Sequence, residues 1–316
     1  MTLRHKTAAL AGAAAVAASA LLTQTPAASA ATVLTFEGGL VGLQPWFHFT
    51  PLQLQGDLCK SPNTCQPVNY FAMPLGQWFN DQGAIKLNQA LDALPDGTET
   101  VLFGHSQGGQ VIYSALRGWA ADPATAPDPT KVSWVSIGNP ENTFGGRDPD
   151  PIPADSPYQG TEVIRQYDGW ADWPTRFNLI AFVNAIAGAQ LVHPNYWNVD
   201  LYSPANIRYV EGNVTYVFVP NPMLPLVQMT GPLAPLLNPV LDPILRPIVE
   251  SAYDRPIGPV GASANPTAAL PVSPQRSVTR TAAAPKRSSS KPGAAHRAAR
   301  VAKNAAEPRR LAAQRR

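Results

Sequence analysis

The chain has 316 residues, of which 45% are hydrophobic and only 14% are charged. Its 34 prolines, about twice the usual share, exclude a long coiled coil or an all-helical bundle, because interior prolines break helices. The formal charge of +3 is a sum of unlike parts: residues 31–270 hold 10 Lys and Arg against 20 Asp and Glu, whereas residues 271–316 hold 12 against one.

Three regions follow in order. Residues 1–30 read as a signal peptide. Arg4, His5 and Lys6 form a basic start, residues 8–22 are an apolar run, and Ala28-Ser29-Ala30 fits a cleavage site. The apolar run is shorter than the roughly 20 residues that a spanning helix needs, so the mature chain is expected to have no transmembrane segment. Residues 31–258 are expected to form one α/β domain, and residues 259–316 a disordered Ala/Pro/Lys/Arg-rich tail that has too little apolar surface to offset its chain entropy. With its net +11, that tail suits peripheral association with an acidic cell envelope; it lacks the interleaved aromatics of a nucleic-acid binder.

Within the domain, residues 32–36 are a β-rich run that ends in Gly38-Gly39. Cys59 and Cys65, the only cysteines, are expected to be joined by a disulfide in an oxidising compartment. Residues 78–94 have helical periodicity and stop at Pro95-Asp96-Gly97, and residues 98–103 form a short apolar strand. Residues 110–119 place Val111, Ala115, Leu116 and Trp119 on one helical face, and residues 132–137 and 162–167 supply further strands. This alternation predicts a mostly parallel central sheet with helices on both faces.

Gly104-His105-Ser106-Gln107-Gly108 joins a strand to a helix and matches the G-x-S-x-G elbow. Small neighbours there expose a serine above the sheet, and the following N–H points at a developing oxyanion. Ser106 is therefore the expected nucleophile. Of five histidines, His193 is the expected base, because only it follows Ser106 within the domain. Asp172, in the loop after residues 162–167, is the expected acid, with Asp168 the alternative. Gln107 and Gly39 are the expected oxyanion donors. Residues 220–249 are apolar but broken by eight prolines; only a short helix from Asp242-Pro243 is expected there. Met223, Met229, Leu233 and Leu236 from that stretch are candidates to line an acyl groove.

The elbow, the stretch Arg165-Gln166-Tyr167-Asp168-Gly169-Trp170-Ala171-Asp172-Trp173-Pro174, and Val192-His193-Pro194-Asn195-Tyr196 together resemble the PE-PPE domain family of mycobacteria and their relatives. Residues 214–220 and Ala252-Tyr253-Asp254-Arg255-Pro256 fit as well. The resemblance implies a cutinase-like α/β-hydrolase fold and a Ser-Asp-His enzyme that acts on acyl esters or lipids, with no cofactor and no metal. The expected function is that of a secreted serine esterase. One alternative is an acyltransferase onto envelope glycolipid hydroxyls; another is a non-catalytic envelope-binding protein.

Overall fold

A seven-stranded sheet organises the chain. The computed structural model describes residues 30–39, 43 and 46–260; the expected signal segment through residue 29 and the basic tail beyond residue 260 lie outside the described residues. In chain order the elements are β1 (Thr32–Phe36), β2 (Thr64–Pro67), α1 (Gln77–Ala93), β3 (Thr100–His105), α2 (Gln107–Ala121), β4 (Val132–Ile137), β5 (Gly160–Arg165), α3 (Leu179–Leu191), β6 (Ile207–Glu211), β7 (Val214–Val219), α4 (Pro225–Gln228) and α5 (Ala234–Glu250). The strand order is β2-β1-β3-β4-β5-β7-β6. Every neighbouring pair is parallel except the β6–β7 hairpin.

Strand side chains alternate between two apolar layers, as the pleat requires. Leu34, Phe36, Leu102, Trp134 and Phe218 pack on one face with Leu87 of α1 and Val111 of α2. Val33, Phe103, Val135, Val163 and Val217 face the other way, under Leu54, Tyr196, Val199 and Leu201. Short 3-10 helices at Thr50–Leu52 and Leu54–Cys59 contribute to that second layer. The expected α/β sheet with helices on both faces is thus present, and Cys59 and Cys65 are bonded, tying the second of these turns to the edge strand β2.

The proline-rich stretch departs from expectation. Instead of a short helix beginning at Asp242, α5 runs 17 residues with Pro239, Pro243 and Pro247 inside it. Their four-residue spacing puts all three on one exposed stripe. The carbonyls they leave without an intrahelical donor, those of Pro235, Pro239 and Pro243, lie on that same stripe, where water can hydrate them. The opposite side keeps its hydrogen bonds and encloses an ion pair: Arg246 Nε and Nη2 donate to the two oxygens of Asp242 at 2.7 Å each. Arg246 Nη1 also reaches the Tyr167 hydroxyl at 3.1 Å and the Asn221 carbonyl at 3.2 Å.

Arg246→Met should cost about 3–5 kcal/mol, because it strands the buried Asp242 carboxylate, and Asp242→Leu with Arg246→Met should recover most of that loss. Urea unfolding of the two variants measures both values.

Candidate active site

Ser106 stands between β3 and α2 with φ 55° and ψ −116°, a left-handed backbone that costs a non-glycine residue roughly 1–3 kcal/mol. The turn closes only because its flanking residues are small. A Cβ on Gly104 would come within 2.4 Å of the Gly108 backbone, and one on Gly108 within 2.2 Å of the Phe36 carbonyl. Ser106 N–H donates to the Ile137 carbonyl at 2.8 Å, which fixes the elbow to the end of β4.

His193 follows the C-terminus of α3, its N–H donating to the Gly188 carbonyl at 3.0 Å. Its Nε2 lies 2.9 Å from Ser106 Oγ and its Nδ1 2.8 Å from Asp168 Oδ1. Side chains 87 and 25 residues apart in sequence therefore meet in one hydrogen-bonded line above the C-terminal ends of the strands. His105 supports this from behind. Its Nε2–H donates to the His193 carbonyl at 3.0 Å, which fixes its tautomer, since a carbonyl only accepts.

The acid expectation is corrected here. Asp168, the alternative, meets His193, and Asp172 does not. β5 ends at Arg165, two residues earlier than the sequence reading placed it, and Tyr167 then turns with φ 66°. Asp168 consequently points toward the histidine. It accepts from Trp170 N–H at 2.9 Å, Ala171 N–H at 3.2 Å and the Tyr196 hydroxyl at 2.7 Å. Burial alone would raise its pKa, but the His193 imidazole and these donors hold it below the ordinary carboxylate value. Asp172 is fully buried and accepts a fork from Arg255 Nε and Nη2 at 2.7 Å each, together with Tyr167 N–H at 2.7 Å. Burial, only partly offset by Arg255, raises its pKa. The Arg165 guanidinium donates to the carbonyls of Val192 and Asn195.

A cleft of about 720 Å³ opens over Ser106. Phe49, Pro74, Trp170, Pro194 and Trp197 give it apolar walls; Gln77, Asn80, Gln110, Glu141, Asp148 and Asp150 give it a polar one. Burial pushes the Glu141 carboxyl up to about 7 against the opposing pull of Arg117, which bonds it at 3.0 Å. Both expected oxyanion donors line the cleft. Gln107 N–H opens α2, where no intrahelical acceptor exists. Gly39 packs against Pro74, whereas Gly38 is the glycine that lies directly on Ser106: a Cβ there would sit 3.2 Å from the serine Cβ.

The four acyl-groove candidates are not in this cleft. Met223 is partly buried among α3, α4 and α5, and Met229, Leu233 and Leu236 are exposed on the helical side of the molecule. Leu236 is held on the outer surface of the continuous α5, and Met223, Met229 and Leu233 lie before that helix, around α4 and the 3-10 turn that leads into α5. Sequence reasoning missed the supporting roles of Tyr196, His105 and Gly38. Only the Tyr three residues after the histidine had a visible signal. Among the described residues no group of three His, Cys, Asp or Glu could hold a metal ion.

His105 yields a pH prediction. Burial, with His193 beside it, lowers its pKa from 6.5 to about 4. Below about pH 6.5 the unfolded chain takes up this proton and the folded one does not, so stability is full above that pH and falls as pH drops toward 4. The loss is on the order of 3 kcal/mol. His105→Gln, which keeps a donor for the His193 carbonyl, should flatten this limb in urea titrations between those pH values.

The PE-PPE domain pattern matches residues 57–254. Esterase PE16 of Mycobacterium tuberculosis (strain ATCC 25618 / H37Rv) is 34% identical over 202 residues, 55% of this chain and 37% of the relative. Diacyltrehalose acyltransferase Chp2 of the same strain is 31% identical over 167 residues, 44% of this chain and 46% of the relative. The matches thus span less than half the length of either relative. Among solved structures, the catalytic core domain of acetyl xylan esterase from Trichoderma reesei aligns with a TM-score of 0.33 and 19% identity, over 45% of this chain and 85% of that one. With the family pattern covering well over half of its residues, the chain belongs to the PE-PPE domain family.

Proposed function

We propose that this protein is a serine carboxylic-ester hydrolase acting on acyl esters or lipids. The observation that carries the proposal is the unbroken line from Ser106 Oγ through both nitrogens of His193 to Asp168. Ser106 attacks the ester carbonyl while His193 Nε2 takes its proton. Asp168 holds Nδ1–H and stabilises the imidazolium without taking the proton itself. The N–H groups of Gln107 and Gly39 receive the oxyanion, the leaving alcohol takes the proton back from His193, and water then releases the acyl group by the same steps reversed. Similarity to an esterase supports this chemistry. The basic and apolar first thirty residues support an exported enzyme of the envelope or its surroundings.

A second reading replaces the water by an alcohol, which makes the enzyme an acyltransferase. The polar wall of Asn80, Gln110 and Glu141 offers hydrogen bonds to a hydroxyl-rich acceptor, and one relative carries that activity in its name. Product analysis with and without a sugar acceptor separates the two: an acylated sugar supports transfer, and free acid alone supports hydrolysis.

Fluorophosphonate labelling of the purified protein should be abolished by Ser106→Ala and strongly reduced by His193→Ala. Asp168→Asn should lower kcat on a short-chain ester by about 10⁴ with little loss of stability. Asp172→Asn should lower the melting temperature instead, by loosening Arg255, and leave kcat of the folded fraction within about tenfold of the parent. The reverse pattern for the two aspartates would remove the proposed acid.

A further inference from the structure

α5 buries its ions and exposes an apolar row, while Val249, Leu237, Leu241 and Leu245 pack inward between them. Its three ionisable residues, Asp242, Arg246 and Glu250, are buried. Its outward row is Leu236, Val240, Ile244 and Ile248, which are 75%, 62%, 59% and 39% exposed, and the proline stripe runs alongside. α3 shows the same inversion. It buries Ala181, Asn184, Ala185, Ala187 and Gly188, and exposes Leu179, Phe182, Val183 and Ile186. Phe177, just before its cap residue, is 94% exposed. The two helices adjoin where Asn178 Nδ2 donates to the Ile248 carbonyl at 3.0 Å. No Asp, Glu, Lys or Arg is exposed on either helix; an exposed ion pair, Arg176 with Asp254, stands just beyond their ends. A helix facing water normally reverses this arrangement.

We propose that the outward face of α3 and α5 docks on an anionic lipid surface. Lipid asks for no directional partner, and this face offers almost none, whereas a protein partner is ordinarily held by polar groups around the contact. Charge favours the same occupant. Val260 N–H donates to Glu250 Oε2 at 3.0 Å, so the described chain ends against the last residue of α5. Beyond it, residues 271–316 carry net +11, and residues 31–270 carry net −10. A second copy would bring a domain of like charge, whereas anionic headgroups attract the basic segment and offset the repulsion of the acidic domain. Apolar contact and a polybasic segment together supply the two signals that stable peripheral binding needs. The depth of docking follows from the prolines. The free carbonyls along their stripe must stay hydrated, so α5 lies at headgroup level and does not enter the hydrocarbon. The proposal is independent of the catalytic reading.

The test is cosedimentation of the full chain with vesicles of phosphatidylcholine containing about one-third phosphatidylglycerol. The expected result is binding that weakens on pure phosphatidylcholine and at high salt. Leu179→Ser, Val240→Ser and Ile244→Ser combined should weaken partitioning by about 100-fold, with the far-UV circular dichroism spectrum unchanged. Should that spectrum change, Val240→Ser alone is read instead, with a loss of about fivefold expected. Absence of binding by the parent chain, or unaltered binding by the folded variant, overturns the proposal. So does a dimer in sedimentation equilibrium that the same replacements split, since the occupant would then be a second copy. Binding is measured without turnover, so absence of ester cleavage would count against the enzymatic reading alone.

Discussion

Two aspartates four residues apart on one loop carry opposite duties, and the site depends on their separation. Asp172 faces inward and takes both ends of the Arg255 guanidinium, which also donates to Glu250 at 2.8 Å. Glu250 in turn accepts from Gln166 and from the Tyr167 hydroxyl, and Asn221 N–H donates to Gln166. This buried network clamps the loop after β5 to the end of α5. Ions this deep are tolerated only when each is paired and hydrogen-bonded, and removal of Arg255 would leave two uncompensated carboxylates. With Asp172 so engaged, the turn at Tyr167 presents Asp168 to His193.

Much of this was legible in the sequence. β1 and β4 fall on the residues that periodicity assigned, and the elbow signal lies in the strand–turn–helix context it demands. The pairing of Ser106 with His193 followed from chain order and a short list of histidines. The contact of Asp168 with His193 did not follow, for a physical reason: strand ends are poorly marked in apolar runs, and a two-residue displacement at Arg165 is enough to exchange the positions of neighbouring carboxylates. Arg255, the group that claims Asp172, is 83 residues away, and no local pattern announces such a pair.

The helical side was illegible for another reason. Prolines along a chain look like a series of independent breaks, although a period of four aligns the breaks on one face and leaves the other intact. The hydrophobic effect makes inward-facing apolar residues the default for a helix on a sheet. Here many inward positions go to alanine, glycine, asparagine and an ion pair, beside the buried Val249 and the partly buried Leu237, Leu241 and Leu245. Gly188 permits this closeness: a Cβ there would stand 1.8 Å from the Tyr167 carbonyl. The helix that separates Asp168 from His193 along the chain therefore belongs both to the site and to the outward apolar face.

The two margins of the sheet are closed in different ways. At one, β2 is four residues long, ends in Pro67 and is stapled through Cys65 to a neighbouring turn. At the other, β6 is five residues long and bears Arg208 and Glu211. Short length, proline and charge all discourage an incoming strand from continuing the ladder. Neither margin offers a template for backbone-to-backbone association, so contact with other molecules is left to side chains on the loops and helices.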